Sequence, residues 1–141
     1  MPPSQVSTSS WITYKNSDYG FEAKYPLDYT VNTSSDRMEI YKKSGQVFLD
    51  YFMLNIITNE IATSLDTYLK IIDRRGETGV LDYKIEQFIM NGEETAKTSY
   101  RTSVHPEEVI TRYILYKNSR IFTALIDSDV HEQIFKSIRF R

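Results

Sequence analysis

The sequence predicts an α+β domain built on an antiparallel β-sheet of about six or seven strands flanked by helices. Three observations predict it. Apolar and polar residues alternate in several short runs, the period of a half-buried strand. Two stretches carry helical spacing instead. Strands, a helix, a strand meander and a second helix follow in that order, not the regular strand–helix alternation of a doubly wound parallel sheet.

Trp11 to Tyr14 reads as a short strand, and Asn16-Ser17-Asp18 as a turn cluster. Phe21, Ala23 and Tyr25 alternate with Glu22 and Lys24, and Pro26 stops the ladder because it cannot donate to it. Tyr29 to Val31 and Met38 to Lys42 read as further strands, with Lys43-Ser44-Gly45 turning between them and the next. Val47 to Ile57 is the most apolar stretch, and both faces of its second half are apolar. Such a strand is usually covered on both sides, which predicts a sheet sandwiched between layers.

Ser64 is placed to cap a helix whose Leu65, Tyr68, Leu69 and Ile72 share one face. Arg74 and Arg75 are expected near its carboxyl end, with Gly76 or Gly79 ending it. Asp82 to Met90 runs into Asn91-Gly92, a strong hairpin signal. Thr95 to Val104, Val109 to Lys117 and Arg120 to Asp127 complete a meander. Ser128 or Asp129 caps a last helix with Val130, Ile134, Phe135 and Ile138 as its apolar stripe, and Phe140 closes on the sheet.

A chain of 141 residues fits one ordinary domain. We read residues 1–10 as a flexible Pro/Ser/Thr leader and residues 11–141 as a single domain. The leader has no apolar signal-peptide core, so any membrane attachment is expected only through an anchor outside this chain. A net charge of −2 gives no field that would gather nucleic acid or acidic membranes. There is no cysteine, which excludes disulfides, thiol nucleophiles and thiolate metal sites.

Tyr19-Gly20-Phe21-Glu22-Ala23-Lys24-Tyr25-Pro26-Leu27-Asp28-Tyr29 resembles the opening motif of PsbP-like domains, including bacterial and archaeal lipoprotein relatives. Tyr29 stands where tryptophan is commoner in them. The likeness continues in Ser64-Leu65-Asp66, in Asn91-Gly92-Glu93-Glu94-Thr95-Ala96 and in Phe135-Lys136-Ser137-Ile138-Arg139-Phe140, so it spans Trp11 to Phe140. The resemblance implies a PsbP-like α/β/α sandwich, a fold shared with a Ran-binding nuclear-import factor. It also implies an accessory or binding role without catalysis or cofactor, and a location outside the cytoplasm. A photosynthetic role does not follow, since one fold serves unrelated functions.

Several residues are candidates for chemistry. His105, Glu107 and Glu108 form a metal-like cluster, one imidazole and two carboxylates, or else a solvated hairpin tip around Pro106. Asp50 lies inside the apolar strand, where burial would raise its pKa and suit acid–base work, unless it points outward or pairs with an arginine. His131 falls off the predicted apolar stripe and is expected to be exposed. Tyr100, Arg101, Arg112 and Tyr113 mark a possible binding surface on the meander, tyrosine and arginine being frequent at interfaces. Asn32-Thr33-Ser34 is a formal glycosylation sequon.

Nucleophile elbow, Walker loop, dinucleotide fingerprint and His-Glu-x-x-His are all absent from the sequence. The expectation is therefore a non-enzymatic binding or accessory module for a protein partner or small ligand. The alternatives are a metal-dependent protein or enzyme using Asp50 or the His105 loop, and a structural spacer in a longer chain.

Overall fold

The computed structural model describes residues 9–58 and 63–140. The leader expected at residues 1–10 lies outside them except for Ser9 and Ser10, which form a turn. Along the chain the elements are β1 (Ile12–Asn16), β2 (Phe21–Tyr25), β3 (Thr30–Thr33), β4 (Arg37–Ser44), β5 (Val47–Ile57), α1 (Leu65–Ile72), β6 (Val80–Met90), β7 (Glu93–Thr102), β8 (Ile110–Lys117), β9 (Arg120–Leu125), α2 (Asp129–Lys136) and β10 (Arg139–Phe140). Seven strands pair in the order β3-β4-β5-β9-β8-β7-β6, the number the sequence predicts. The other three form a second sheet, β1-β2-β10, that it does not predict. The chain divides into two compact units, one comprising Met1–Met53 with Ile126–Arg141 and the other Leu54–Leu125, so β5 contributes to both.

In the first unit, β1 and β2 pair from Ile12↔Tyr25 to Asn16↔Phe21. The connecting turn works because Gly20 takes a φ of 71° and the Asn16 side chain accepts the Tyr19 N–H at 3.0 Å. β10 adds to the other edge of β2, with Phe140 opposite Phe21. The Phe21 ring is buried and packs against Tyr14 and Phe140, centroids 6.5 and 6.1 Å away. β3 pairs with β4 from Thr30↔Tyr41 to Thr33↔Met38. Ala23, Met38, Ile40, Phe52, Ile134, Phe135 and Ile138 are fully buried in this unit.

α2 begins where Ser128 accepts the His131 N–H at 3.2 Å, and Asp129 and Glu132 suit the positive end of its dipole. Its carboxyl end is tied to β2, since Ser137 Oγ accepts the Lys24 N–H at 2.7 Å.

In the second unit β5, β9, β8, β7 and β6 follow one another, every neighbour antiparallel. α1 packs on β7 and β8, burying Leu65, Tyr68 and Leu69 against Ala96, Ile114 and Ile121. Ser64 caps α1 as predicted, accepting the Thr67 N–H at 3.0 Å. The helix stops at Ile72, before the arginines and glycines expected to end it. The Asp73 carboxylate takes the Arg75 N–H at 2.9 Å, a local turn that competes with helix continuation.

β5 is not covered evenly. Phe52, Leu54 and Ile56 are buried, whereas Tyr51, Met53, Asn55 and Ile57 are half-buried. The two-sided coverage read from its composition is thus a core face and a partly solvated face. The Asn91-Gly92 turn takes φ values of 52° and 84°, the left-handed pair a tight hairpin needs. A Cβ at Gly92 would meet nothing within 4 Å, so Gly92→Ala carries a backbone penalty alone. It is expected to destabilise by about 1–2 kcal/mol, seen as a lower urea midpoint with unchanged slope.

Candidate functional site

The first unit contains a buried polar network that the sequence reading divides wrongly. His131 is 2% exposed, not solvated. It lies at i with Ile134, Phe135 and Ile138 at i+3, i+4 and i+7, so it belongs to the inward stripe of α2 and its ring sits 5.6 Å from that of Phe52. Its Nε2 lies 2.7 Å from Asp50 Oδ1, and its Nδ1 accepts the Asp127 backbone N–H at 3.1 Å. Among the described residues Asp50 pairs with no arginine. Its Oδ2 instead accepts the Tyr29 hydroxyl at 2.5 Å, and its Oδ1 also accepts the Tyr51 N–H at 2.9 Å.

These bonds decide the protonation pattern. An Nδ1 that accepts an N–H carries a lone pair, so the ring proton is on Nε2 and is donated to Asp50. Burial pushes the Asp50 carboxyl up, but bonds from Tyr29, His131 and Tyr51 outweigh it and hold it below its ordinary value. This reverses the raised value expected from the apolar strand. Burial and the neighbouring carboxylate push the Tyr29 hydroxyl up. Burial, then its bond to Glu39, raises Tyr51 to about 12. His131 has both ring nitrogens engaged inside the protein, and Asp50 is held ionised as an acceptor.

The other sequence candidates fare differently. His105 Nδ1 approaches Glu107 at 3.8 Å, with both side chains largely exposed. No three histidine, aspartate or glutamate side chains gather to hold a metal ion among the described residues, so the loop does not assemble with Glu108 into a donor set. Arg101 pairs with Asp82, which sits at a bulge in β6 with a φ of 53°. Tyr113 is 2% exposed and packs against Phe88 under the Lys97 ammonium, so it offers no binding surface. The register explains the split: Thr98 lies opposite Arg112 and Lys97 opposite Tyr113, so Tyr100 and Arg112 occupy one face of the sheet and Arg101 and Tyr113 the other.

Tyr100 and Arg112 do share a site. A cavity of about 240 Å³ opens in the second unit between the end of α1 and strands β6–β8. Tyr68, Ile72 and Arg74 line it from the helix side, and Tyr83, Thr98, Tyr100, Ile110 and Arg112 from the sheet. The Tyr83 and Tyr100 rings lie 6.0 Å apart, and the Arg74 guanidinium stands 5.5 Å over the Tyr100 face. Tyr83 donates to the Ile72 carbonyl at 3.3 Å, tying sheet to helix end. Arg112 Nη1 donates to Thr123 Oγ1 at 3.3 Å. Burial raises Tyr68, opposed by Arg112, and raises Tyr83 together with Asp73. The sequence reading does not bring Tyr68, Arg74 and Tyr83 into this site, because which strand and helix faces meet depends on long-range register.

Among the described residues no helix is long and apolar enough to cross a membrane. No known protein family matches the chain by its sequence. No curated protein matches it either. Solved structures do. The solution structure of cyanobacterial PsbP (CyanoP) from Synechocystis sp. PCC 6803 superposes with a TM-score of 0.62 at 10% identity, covering 100% of each chain. A crystal structure from Bacteroides thetaiotaomicron VPI-5482 superposes with a TM-score of 0.53 at 11% identity, over 94% of this chain and 49% of that one. The fold is PsbP-like, as the opening motif and its companions predict.

Proposed function

We propose that the chain is a non-catalytic accessory module that binds a small ligand in the cavity between α1 and β6–β8. The observation that carries this reading is the lining itself: rings and guanidinium groups converge on a concave site, the usual makeup of a ligand pocket. The lining supplies no serine, carboxylate or histidine to act as nucleophile or base. His131 and the half-buried Asp50 lie in the other unit, bonded to each other. The likeness to PsbP-like lipoprotein relatives further supports a place outside the cytoplasm, which fractionation of the source cells would test.

Saturation-transfer NMR with a library of single-ring compounds tests the binding reading on wild type and on Ile110→Trp, which fills the cavity. Hits are expected with wild type and are expected to fade in the variant. Hits that ignore the substitution would overturn the pocket assignment. A substrate turned over by wild type but not by His131→Asn would overturn the non-catalytic one.

A further inference from the structure

We infer that the cavity selects a small aromatic carboxylate, an oxyanion borne on a flat ring. This rests on the pocket reading above and adds the charge and shape of the ligand.

The charge follows from the lining, which contains two guanidinium groups and no carboxylate. Arg74 has a loose partner in Glu77, at 4.0 Å and largely exposed, which a ligand can displace. Arg112 has no carboxylate within ion-pairing distance among the described residues. Three other guanidinium groups are matched: Arg101 with Asp82, Arg75 with Asp73 and Arg37 with Asp36. A guanidinium has five N–H donors, and the bond to Thr123 uses one of those on Arg112. A half-buried cation left without a counter-ion is unfavourable, and a planar carboxylate fits its fork with two parallel bonds. Tyr68 adds a neutral hydroxyl, kept protonated by burial and able to donate to the same oxyanion.

The ring follows from the tyrosines. Tyr83 and Tyr100 line the cavity with rings inclined by 30° to each other, and Ile72 and Ile110 add apolar surface to the same lining. Offset stacking and edge contacts favour a flat guest there over an aliphatic one. The volume of about 240 Å³ lies under the ~300 Å³ at which drug-sized sites begin, so one ring with its acid group is the right scale.

The test is an amide-resolved NMR titration of the full chain with three probes: benzoate, its neutral isostere benzamide, and inorganic phosphate. Benzoate is expected to shift Tyr68, Thr98, Tyr100 and Arg112 saturably. Benzamide and phosphate are each expected to bind at least about tenfold more weakly, the loss of one charge-assisted pair or of the ring contacts. Arg112→Gln is expected to weaken benzoate by a similar factor. Arg74→Gln, at the exposed rim, is expected to do so to a smaller extent and serves should Arg112→Gln fail to fold. Benzamide binding these residues as tightly as benzoate would overturn the anion while leaving the pocket standing. Phosphate matching benzoate would overturn the ring. No shift at these residues with any probe would overturn both the inference and the pocket reading.

Discussion

Replacing Asp50 with alanine is expected to lower the unfolding free energy by about 2–3 kcal/mol at neutral pH. The carboxylate serves three donors at once, from Tyr29, His131 and the Tyr51 backbone. Its removal leaves the His131 Nε2–H buried without an acceptor, while the half-exposed Tyr29 hydroxyl can turn to water. The side chain of Asp50 is 25% exposed, which keeps the figure below that of a fully buried pair. The pH dependence has a definite sign. The folded-state pKa of Asp50 lies below its ordinary 3.8, so the stabilisation is complete above that value and is lost as pH falls through the folded-state pKa. The penalty for Asp50→Ala must therefore shrink in acid. Urea unfolding of wild type and variant at neutral pH and well below the ordinary carboxylate range measures it. An equal penalty in both conditions would show that the ionised carboxylate is not the source.

A larger loss is expected from Ile114→Ala, about 2–5 kcal/mol, the range for truncating a fully buried isoleucine. Ile114 is 0% exposed in β8 and belongs to the cluster formed with Leu65, Tyr68, Leu69, Ala96 and Ile121. The missing atoms would leave a void beneath α1, because a helix anchored by three buried side chains cannot settle freely into it. The same helix face carries Tyr68 to the cavity between α1 and β6–β8. Chemical denaturation reads the stability, and a loss under about 1 kcal/mol would mean that α1 relaxes onto the sheet.

What the sequence revealed depended on the range of the interaction. The Asn91-Gly92 hairpin, the Ser64 cap and the alternating strand from Phe21 to Tyr25 are set within a few residues and were legible. The small β1-β2-β10 sheet was not, because Phe140 meets Phe21 across most of the chain. His131 was legible and misassigned. Its spacing to Ile134, Phe135 and Ile138 marks the inward stripe, but a polar residue beside Val130 invites an outward reading. Its burial is tolerable only because both ring nitrogens find partners, and neither partner can be foreseen from α2 alone. The binding surface was half legible. Tyr100 and Arg112 were named, yet so were Arg101 and Tyr113 on the opposite face. Alternation along β7 separates Tyr100 from Arg101. Placing Arg112 beside Tyr100 needs the β7–β8 register, and a long loop between the two strands leaves that register open.

The meander from β6 to β9 also bears on the order of assembly. Each of its ladders joins neighbours in sequence, two of them across two-residue turns whose backbone is already left-handed. Little chain entropy is lost in closing such turns, so β6 with β7 and β8 with β9 can zip up as they are synthesised, and the β7–β8 ladder joins the two hairpins across a connection that is longer but still local in sequence. The pairing of Leu54 with Ala124 is of another kind, since β5 is made early and must wait for β9. The cavity walls contributed by β6, β7 and β8 are therefore expected to form in the fast, local part of the folding reaction, and the ladder that joins β5 to β9 in the slow part.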